Sequence, residues 1–406
     1  MSTSISNTNR PGWFDMSKTA NRAGGIALKV MTIFGTRPEA IKLAPVIREL
    51  EMAAKQVRTV NVTSAQHTDL LYPFIRLFDI RIDHDLRAMR PNQTPNQLCS
   101  RVLNALDSVL RQERPDIILV QGDTTTAMAG ALAGFHSKVP VAHVEAGLRS
   151  HNVQSPYPEE MNRRMITSLA TYHFAATASN RATLLDEGIA DENIFVTGNP
   201  VVDSLKTILK LSPVTPALEA LLSLTNGQRR IILTTHRRES FGATMDDNLR
   251  AIRSFVESRK DVALIFPVHP NPSVASAARK VLSDHPRIHL IQPLAYNDFL
   301  VLMTRAWLIV SDSGGLQEEC PTLGKPLLVL RENTERPEAI ESGIARLVGG
   351  NPERLAAMLE EAYSDGSWAN EVKEIENPFG AGDSGKQIAE IICDLLNAPA
   401  RALKVG

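Results

Sequence analysis

The sequence predicts an α/β fold of two doubly wound, Rossmann-like domains facing a central cleft. Three observations carry this. The chain has 406 residues, too many for one ordinary core and suited to about two domains. Its composition, 43% hydrophobic and 22% charged, is that of a globular protein. From Leu28 onward, short β-branched runs alternate with segments of helical apolar spacing, such as Ala40, Leu43, Ala44 and Ile47. That alternation builds parallel sheets covered by helices on both faces.

In chain order, residues 1–27 come first. The stretch Met1–Asn9 is polar and aperiodic, which predicts a disordered tail. It lacks the basic start, apolar stretch and cleavage site of a secretory signal. Strands are then expected at Leu28–Phe34, Arg58–Ser64, Asp116–Gln121, Pro140–Val144, Tyr172–Ala176 and Ile194–Val196. A second series follows at Arg230–Thr235, Val262–Pro267, Ile288–Ile291, Trp307–Ser311, Pro326–Leu330 and Ala345–Val348. The break falls after Gly198-Asn199-Pro200, where Leu211–Gln228 turns loop-rich and helical. The expected organisation is a tail (1–27), an N-terminal domain (28–200) and a C-terminal domain (201–383). A last helix, within 384–406 and starting near Ser384 as N-cap, crosses back onto the first domain; this rests on fold analogy.

The formal net charge of -1 leaves no electrostatic footprint for nucleic acid or an anionic membrane. No apolar run approaches the ~20 residues needed to span a bilayer. Cys99, Cys320 and Cys393 are odd in number, far apart and without C-x-x-C spacing, which predicts free thiols in a reducing cytosol and a cytoplasmic protein.

Open parallel sheets bind ligands beyond the carboxyl ends of their strands. The residues following each expected strand are rich in Arg, His and acids. They include Gly35-Thr36-Arg37-Pro38-Glu39, Gln66-His67, Gly122-Asp123-Thr124, Glu145, His236-Arg237-Arg238-Glu239, His269 and Ser311-Asp312-Ser313-Gly314-Gly315. A shared cleft explains that concentration.

The Ser313-Gly314-Gly315 turn opens a helix, Gly315–Leu323, whose unpaired N–H groups and positive end favour a pyrophosphate. Ser313 either caps this helix or donates to a phosphate oxygen. Glu319, one turn in, is either a ribose acceptor or a solvated helix acid. Arg37 and Lys42 reach an anionic or uracil-like group, or are surface cations. His236, flanked by Arg237 and Arg238, reads as part of an anion clamp. The literal G-x-G-x-x-G at Gly380–Gly385 follows no strand, so a nicotinamide site there is not expected.

Asp123 and Glu145 each follow a buried strand, and Glu159 and Glu160 follow Pro158 at a helix start. Paired acids in a cleft suit general acid/base work when their environments separate their pKa values. Neither D-x-D nor H-x-x-x-H spacing lies near the phosphate turn, so no metal is implied there. His67, His143, His173 and His285 read as structural.

Eight motifs also resemble one family, the non-hydrolysing UDP-N-acetylglucosamine 2-epimerases. They are GTRPEAIKLAP (Gly35–Pro45), QGDTTT (Gln121–Thr126), HVEAGLRS (His143–Ser150), SPYPEEMNR (Ser155–Arg163), HRRESFG (His236–Gly242), PVHPNP (Pro267–Pro272), SDSGGLQEE (Ser311–Glu319) and TERPEA (Thr334–Ala339). The resemblance runs from about Lys29 to the end in family order. It implies a glycosyltransferase-B-like fold and interconversion of UDP-N-acetylglucosamine and UDP-N-acetylmannosamine without NAD or metal.

By position it implies that Arg37, Lys42, His236, Ser313, Gly314, Gly315, Glu319 and Arg336 hold UDP. Leu294 and Phe299 are implied to offer backbone contacts to uracil. Asp123, Glu145 and Glu159 are implied as catalytic carboxylates, with His236 beside them. The family suggests a homodimer and a supply of N-acetylmannosamine units for surface polysaccharide. Bacterial members are often activated by a second UDP-N-acetylglucosamine, which makes Gln66, Arg237 and His269 the candidate allosteric residues. Gln121, Thr68-Asp69 and Asn92 depart from residues common in the family.

Three other readings share the phosphate turn. A glycosyltransferase would need an acceptor site and often a membrane-facing patch, which the sequence lacks. A hydrolysing relative would release free N-acetylmannosamine. A UDP-sugar sensor would not require Asp123, Glu145 and Glu159.

Overall fold

A computed structural model describes residues 28–65, 68–211, 213–236 and 242–397. The first domain holds seven strands: β1 (Leu28–Phe34), β2 (Val57–Thr63), β3 (His84–Asp85), β4 (Ile117–Gln121), β5 (Val141–Ala146), β6 (Tyr172–Ala175) and β7 (Ile194–Val196). Their order is β3-β2-β1-β4-β5-β6-β7, and every pairing is parallel. The second domain holds β8 (Arg229–Thr234), β9 (Val262–Pro267), β10 (Ile288–Ile291), β11 (Leu308–Ser311), β12 (Leu327–Val329) and β13 (Ala345–Leu347). Their order is β10-β9-β8-β11-β12-β13, again wholly parallel. Two parallel sheets, each wound in both directions from its centre, make the Rossmann-like, glycosyltransferase-B-like fold that the sequence predicts.

The strands are continuous β-branched runs because both faces of each sheet are covered. In β1, Val30 and Phe34 join one core cluster while Met31 and Ile33 join another, and all four are fully buried. β8 divides likewise, with Ile231 and Leu233 on one side and Ile232 on the other. The cluster around Ile232 also takes in Ile41 and Phe74 of the first domain, so one apolar cluster runs across the domain contact.

The helix Ser384–Asn397 packs on the helix Arg37–Met52 of the first domain, burying Ile388, Ala389, Ile392 and Cys393 in the cluster around Val30. Gly385 permits the approach, since a Cβ there would lie 2.7 Å from Pro45 Cβ and 2.8 Å from its carbonyl carbon. Asp203 accepts the Gly385 N–H at 3.0 Å and fixes where this helix starts. The tail 1–27 lies outside the described residues. No described helix is long and apolar enough to cross a membrane.

Candidate active site

Each sheet reverses its winding at its centre, between β1 and β4 in the first and between β8 and β11 in the second. The crevice beyond such a reversal is where this architecture receives ligands. The four central strands deliver Gly35-Thr36-Arg37, Gly122-Asp123, His236 and the Ser311–Gly315 turn to it.

On the second domain, fully buried Asp312 organises the turn. It accepts the Thr235 hydroxyl at 2.8 Å and the His236 N–H at 2.9 Å, and its Oδ1 lies 3.1 Å from His236 Nδ1. The Ser313 N–H donates to Ser311 Oγ at 2.9 Å. The helix is Leu316–Leu323, and its N-cap is Gly315 with no side-chain cap, so Ser313 does not serve as the cap. Gly315 keeps ordinary helical angles, and a Cβ there would meet nothing nearer than 3.8 Å. Its lack of a side chain therefore leaves space at the helix N-terminus, where N–H groups and the helix dipole favour an anion.

Glu319 is buried. Its Oε1 accepts the Tyr296 hydroxyl at 2.7 Å, and its Oε2 has no partner among the described residues. Burial pushes this carboxyl up to about 7. Arg37 lies over the Tyr296 ring at 5.4 Å, and Phe74 meets the same ring edge-on at 5.5 Å. The first domain thus touches the ribose candidate through one tyrosine.

Lys42 is the central ion of the cleft. Its ammonium bonds Glu145 Oε1 and lies 3.0 Å from Glu318 Oε2. Glu318 Oε1 accepts from Arg336 Nε. Arg336 continues to Glu335 at 3.7 Å, and Glu335 to Arg331 at 2.6 Å. Burial alone would raise Glu318, but Arg336 and Lys42 hold it down to about 2. Burial raises Glu145, and the nearby Glu318 charge adds to this against the pull of Lys42. Glu145 also takes hydrogen bonds from the Gln121 and Asn199 amides. It sits at a bulge of β5 with φ +67, which turns its carboxyl toward Lys42 rather than into the strand alternation.

Asp123 meets Arg163, whose Nε and Nη2 lie 2.8 and 2.7 Å from Oδ2. Asn162 Nδ2 donates to the Asp123 carbonyl at 2.8 Å. Glu160, fully buried, lies 3.2 Å from Arg163 Nη1 and accepts the Ser150 N–H at 2.9 Å. These residues belong to the helix Glu159–Leu169. Glu159 starts it, four residues before Arg163. His143 lies 2.8 Å, through Nε2, from the Gly122 carbonyl. Burial lowers His143 to about 3 and His173 to about 4, so both rings are neutral, as befits structural histidines.

The structure therefore brings Arg37, Lys42, Asp123, Glu145, Glu319, Arg336 and His236 to the carboxyl edges of the two sheets. His269 stacks on His236 with ring centroids 5.7 Å apart. Leu294 and Phe299 flank the start of the helix Tyr296–Thr304, where the Phe299 N–H is spent on the Ala295 carbonyl at 2.9 Å. Gln66 and Arg237 lie outside the described residues. Sequence reasoning gave no role to Glu318, Tyr296, Asp312 or Arg163. The only signal for Glu318 was a second acid in the first turn after the phosphate turn.

Comparison with known proteins joins this geometry to a family. The family profile described as UDP-N-acetylglucosamine 2-epimerase matches residues 49–393. The chain is 42% identical over 370 residues to the UDP-N-acetylglucosamine 2-epimerase of Salmonella typhimurium, covering 90% of this chain and 98% of that one. It is 43% identical over 363 residues to the Bacillus subtilis enzyme of the same name, covering 89% and 94%. Among solved structures, UDP-GlcNAc 2-epimerase from Neisseria meningitidis bound to UDP-GlcNAc superposes with a TM-score of 0.83. That chain is 39% identical, and the match covers 90% of this chain and 99% of that one. With a phosphate turn, a buried ribose candidate and strand-end carboxylates meeting in one cleft, the chain belongs to the UDP-N-acetylglucosamine 2-epimerase family.

Proposed function

We propose that the protein interconverts UDP-N-acetylglucosamine and UDP-N-acetylmannosamine. A carboxylate takes the C2 proton. The C1–O bond breaks with its electron pair leaving on UDP, and a C1–C2 double bond forms. Return of a proton to the other face of C2, with UDP re-adding at C1, gives the epimer. Two faces need two proton carriers, which are sought among Asp123, Glu145 and Glu159.

The observation that supports this most is the Lys42 bridge, which links Glu145 at the end of β5 to the helix of the phosphate turn. Proton chemistry and leaving-group binding thus adjoin. The helix N-terminus at Ser313-Gly314-Gly315, with His236 and Arg37, takes up charge developing on the departing UDP. Glu319 accepts a ribose hydroxyl through Oε2, and Leu294 and Phe299 line the uracil end. Arg336 and Lys42 act through the carboxylates they hold. The reaction uses neither NAD nor metal.

On the family pattern the protein is a cytoplasmic homodimer that supplies N-acetylmannosamine units for surface polysaccharide. A second UDP-N-acetylglucosamine near Gln66, Arg237 and His269 acts as activator.

Incubation of UDP-N-acetylglucosamine with the protein in D2O tests the reading. Deuterium is expected at C2 with no added cofactor. Absence of exchange overturns the epimerase and leaves a transferase or a sensor. Free N-acetylmannosamine among the products instead marks a hydrolysing enzyme.

A further inference from the structure

We propose that Glu318 is a positioning residue for the proton chemistry of Glu145: it holds Lys42 between two carboxylates, so that the ammonium charge is shared across the cleft instead of falling on Glu145 alone. The proposal rests on the epimerase reading and assigns a role to a side chain that the reading leaves unused.

Glu318 is not placed to touch substrate. Its side chain is 3% exposed, and both oxygens are committed to protein cations, Oε2 to Lys42 at 3.0 Å and Oε1 to Arg336. Nor is it placed to carry a proton, since those cations hold it ionised. It stands beside Glu319, on the helix that opens at the phosphate turn. Lys42 and Glu145 belong to the first domain, so the bridge exists only where that helix meets them.

The charged groups facing Glu145 are Lys42, Glu318 and Arg336, and its other polar partners, Gln121 and Asn199, are uncharged. An unshared ammonium against a carboxylate favours the ionised form and weakens it as a base. Glu318 opposes this twice. It draws one of the three Lys42 donors to itself, and it adds a like charge near Glu145. Glu145 is left more basic than a private ion pair with Lys42 would make it, which suits a group that must both take and return a proton near neutrality.

An ordinary salt bridge between domains would explain the contacts equally well, and the pH profile separates the two roles. Rates of C2 deuterium exchange would be measured from pH 5 to pH 10, with UDP affinity, for the wild type, Glu318→Gln and Glu318→Asp. In Glu318→Gln, one limb of the profile is expected to move to lower pH by about one unit. The maximal rate is expected to fall about tenfold or more, with KM and UDP Kd within about threefold. Glu318→Asp keeps a charge for Arg336 but is one methylene too short for Lys42, so it should fold and shift the same limb in the same direction. It decides the question if circular dichroism shows Glu318→Gln unfolded. The proposal is overturned if both limbs stay in place in the folded variant. It is also overturned if UDP affinity falls in step with the rate, which would make Glu318 a binding group. Exchange by the wild type tests the epimerase reading separately, so an unmoved limb with exchange intact sinks this inference alone.

Discussion

Tyr296→Phe isolates one hydroxyl at the contact between domains. The ring remains against Phe74 and under Arg37. What disappears is the O–H that donates to Glu319 Oε1 at 2.7 Å. The other oxygen is buried with no partner among the described residues, so the variant leaves the carboxyl with neither oxygen satisfied. Burial already holds Glu319 at about 7. A hydrogen bond to an ionised group contributes about 1.5–3 kcal/mol, so its loss raises the carboxyl by about one to two units, to about 8–9. At pH 7.5 the ionised fraction then falls severalfold.

The ionised carboxylate accepts from a ribose hydroxyl more strongly than the protonated acid, so on the proposed reading affinity for UDP is expected to rise with pH through the Glu319 titration. The variant should bind UDP about eightfold more weakly at pH 7.5, with the deficit closing by about pH 9.5. Calorimetric titration with UDP from pH 6.5 to pH 9.5 reads both quantities. A deficit of the same size at every pH, or none at all, would refute the assignment of Glu319 as a titrating ribose acceptor.

Two further outcomes follow from single contacts. Arg163→Met removes the guanidinium shared by Asp123 and fully buried Glu160. It should lower stability by about 3 kcal/mol in urea unfolding and reduce kcat more than it raises KM. Gly385→Val drives a side chain into Pro45, which a Cβ would already meet at 2.7 Å, and the loss of about 2 kcal/mol should outweigh the gain in helix propensity and appear as a lower Tm.

The sheets were legible because buried parallel strands are written as uninterrupted β-branched runs. All twelve expected strands are present, four with the expected bounds and eight shifted by a residue or two at an end. The strand missed is β3, where His84-Asp85 pairs with β2 over two residues and carries no apolar run. Expecting β5 to end at Val144 fell short for a different reason. The strand continues to Ala146 across the bulge at Glu145, whose left-handed backbone leaves no mark in residue type. The Glu145 carboxyl was legible as a strand-end acid; the direction in which it points was not. Long-range pairings were equally hidden. Arg163 lies forty positions from Asp123, and neither residue signals the other. Between Glu318 and Glu319, helical spacing placed both near the phosphate turn. Lys42 from across the cleft and Arg336 from the same domain decide that Glu318 becomes a counter-ion while Glu319 is left with an open oxygen.

That division changes what the cationic residues do. The resemblance implies that Lys42 and Arg336 hold UDP, yet these two and Arg331 are matched in the fold by Glu145, Glu318 or Glu335. A chain of three cations and three carboxylates presents little net charge to a ligand. On the proposed reading, attraction for the phosphates comes from the N–H groups at the start of Leu316–Leu323, from His236, and from Arg37, which no carboxylate binds among the described ion pairs. Such donors are fixed by backbone and aromatic packing. In the proposed mechanism they would stay in place as the C1–O bond breaks and would not need to reorganise as it re-forms. A clamp made of mobile, unpaired lysines would hold UDP by bulk charge whatever its orientation. A neutralised network behind a rigid ring of donors would instead hold UDP in one pose, as the proposed return to C1 requires.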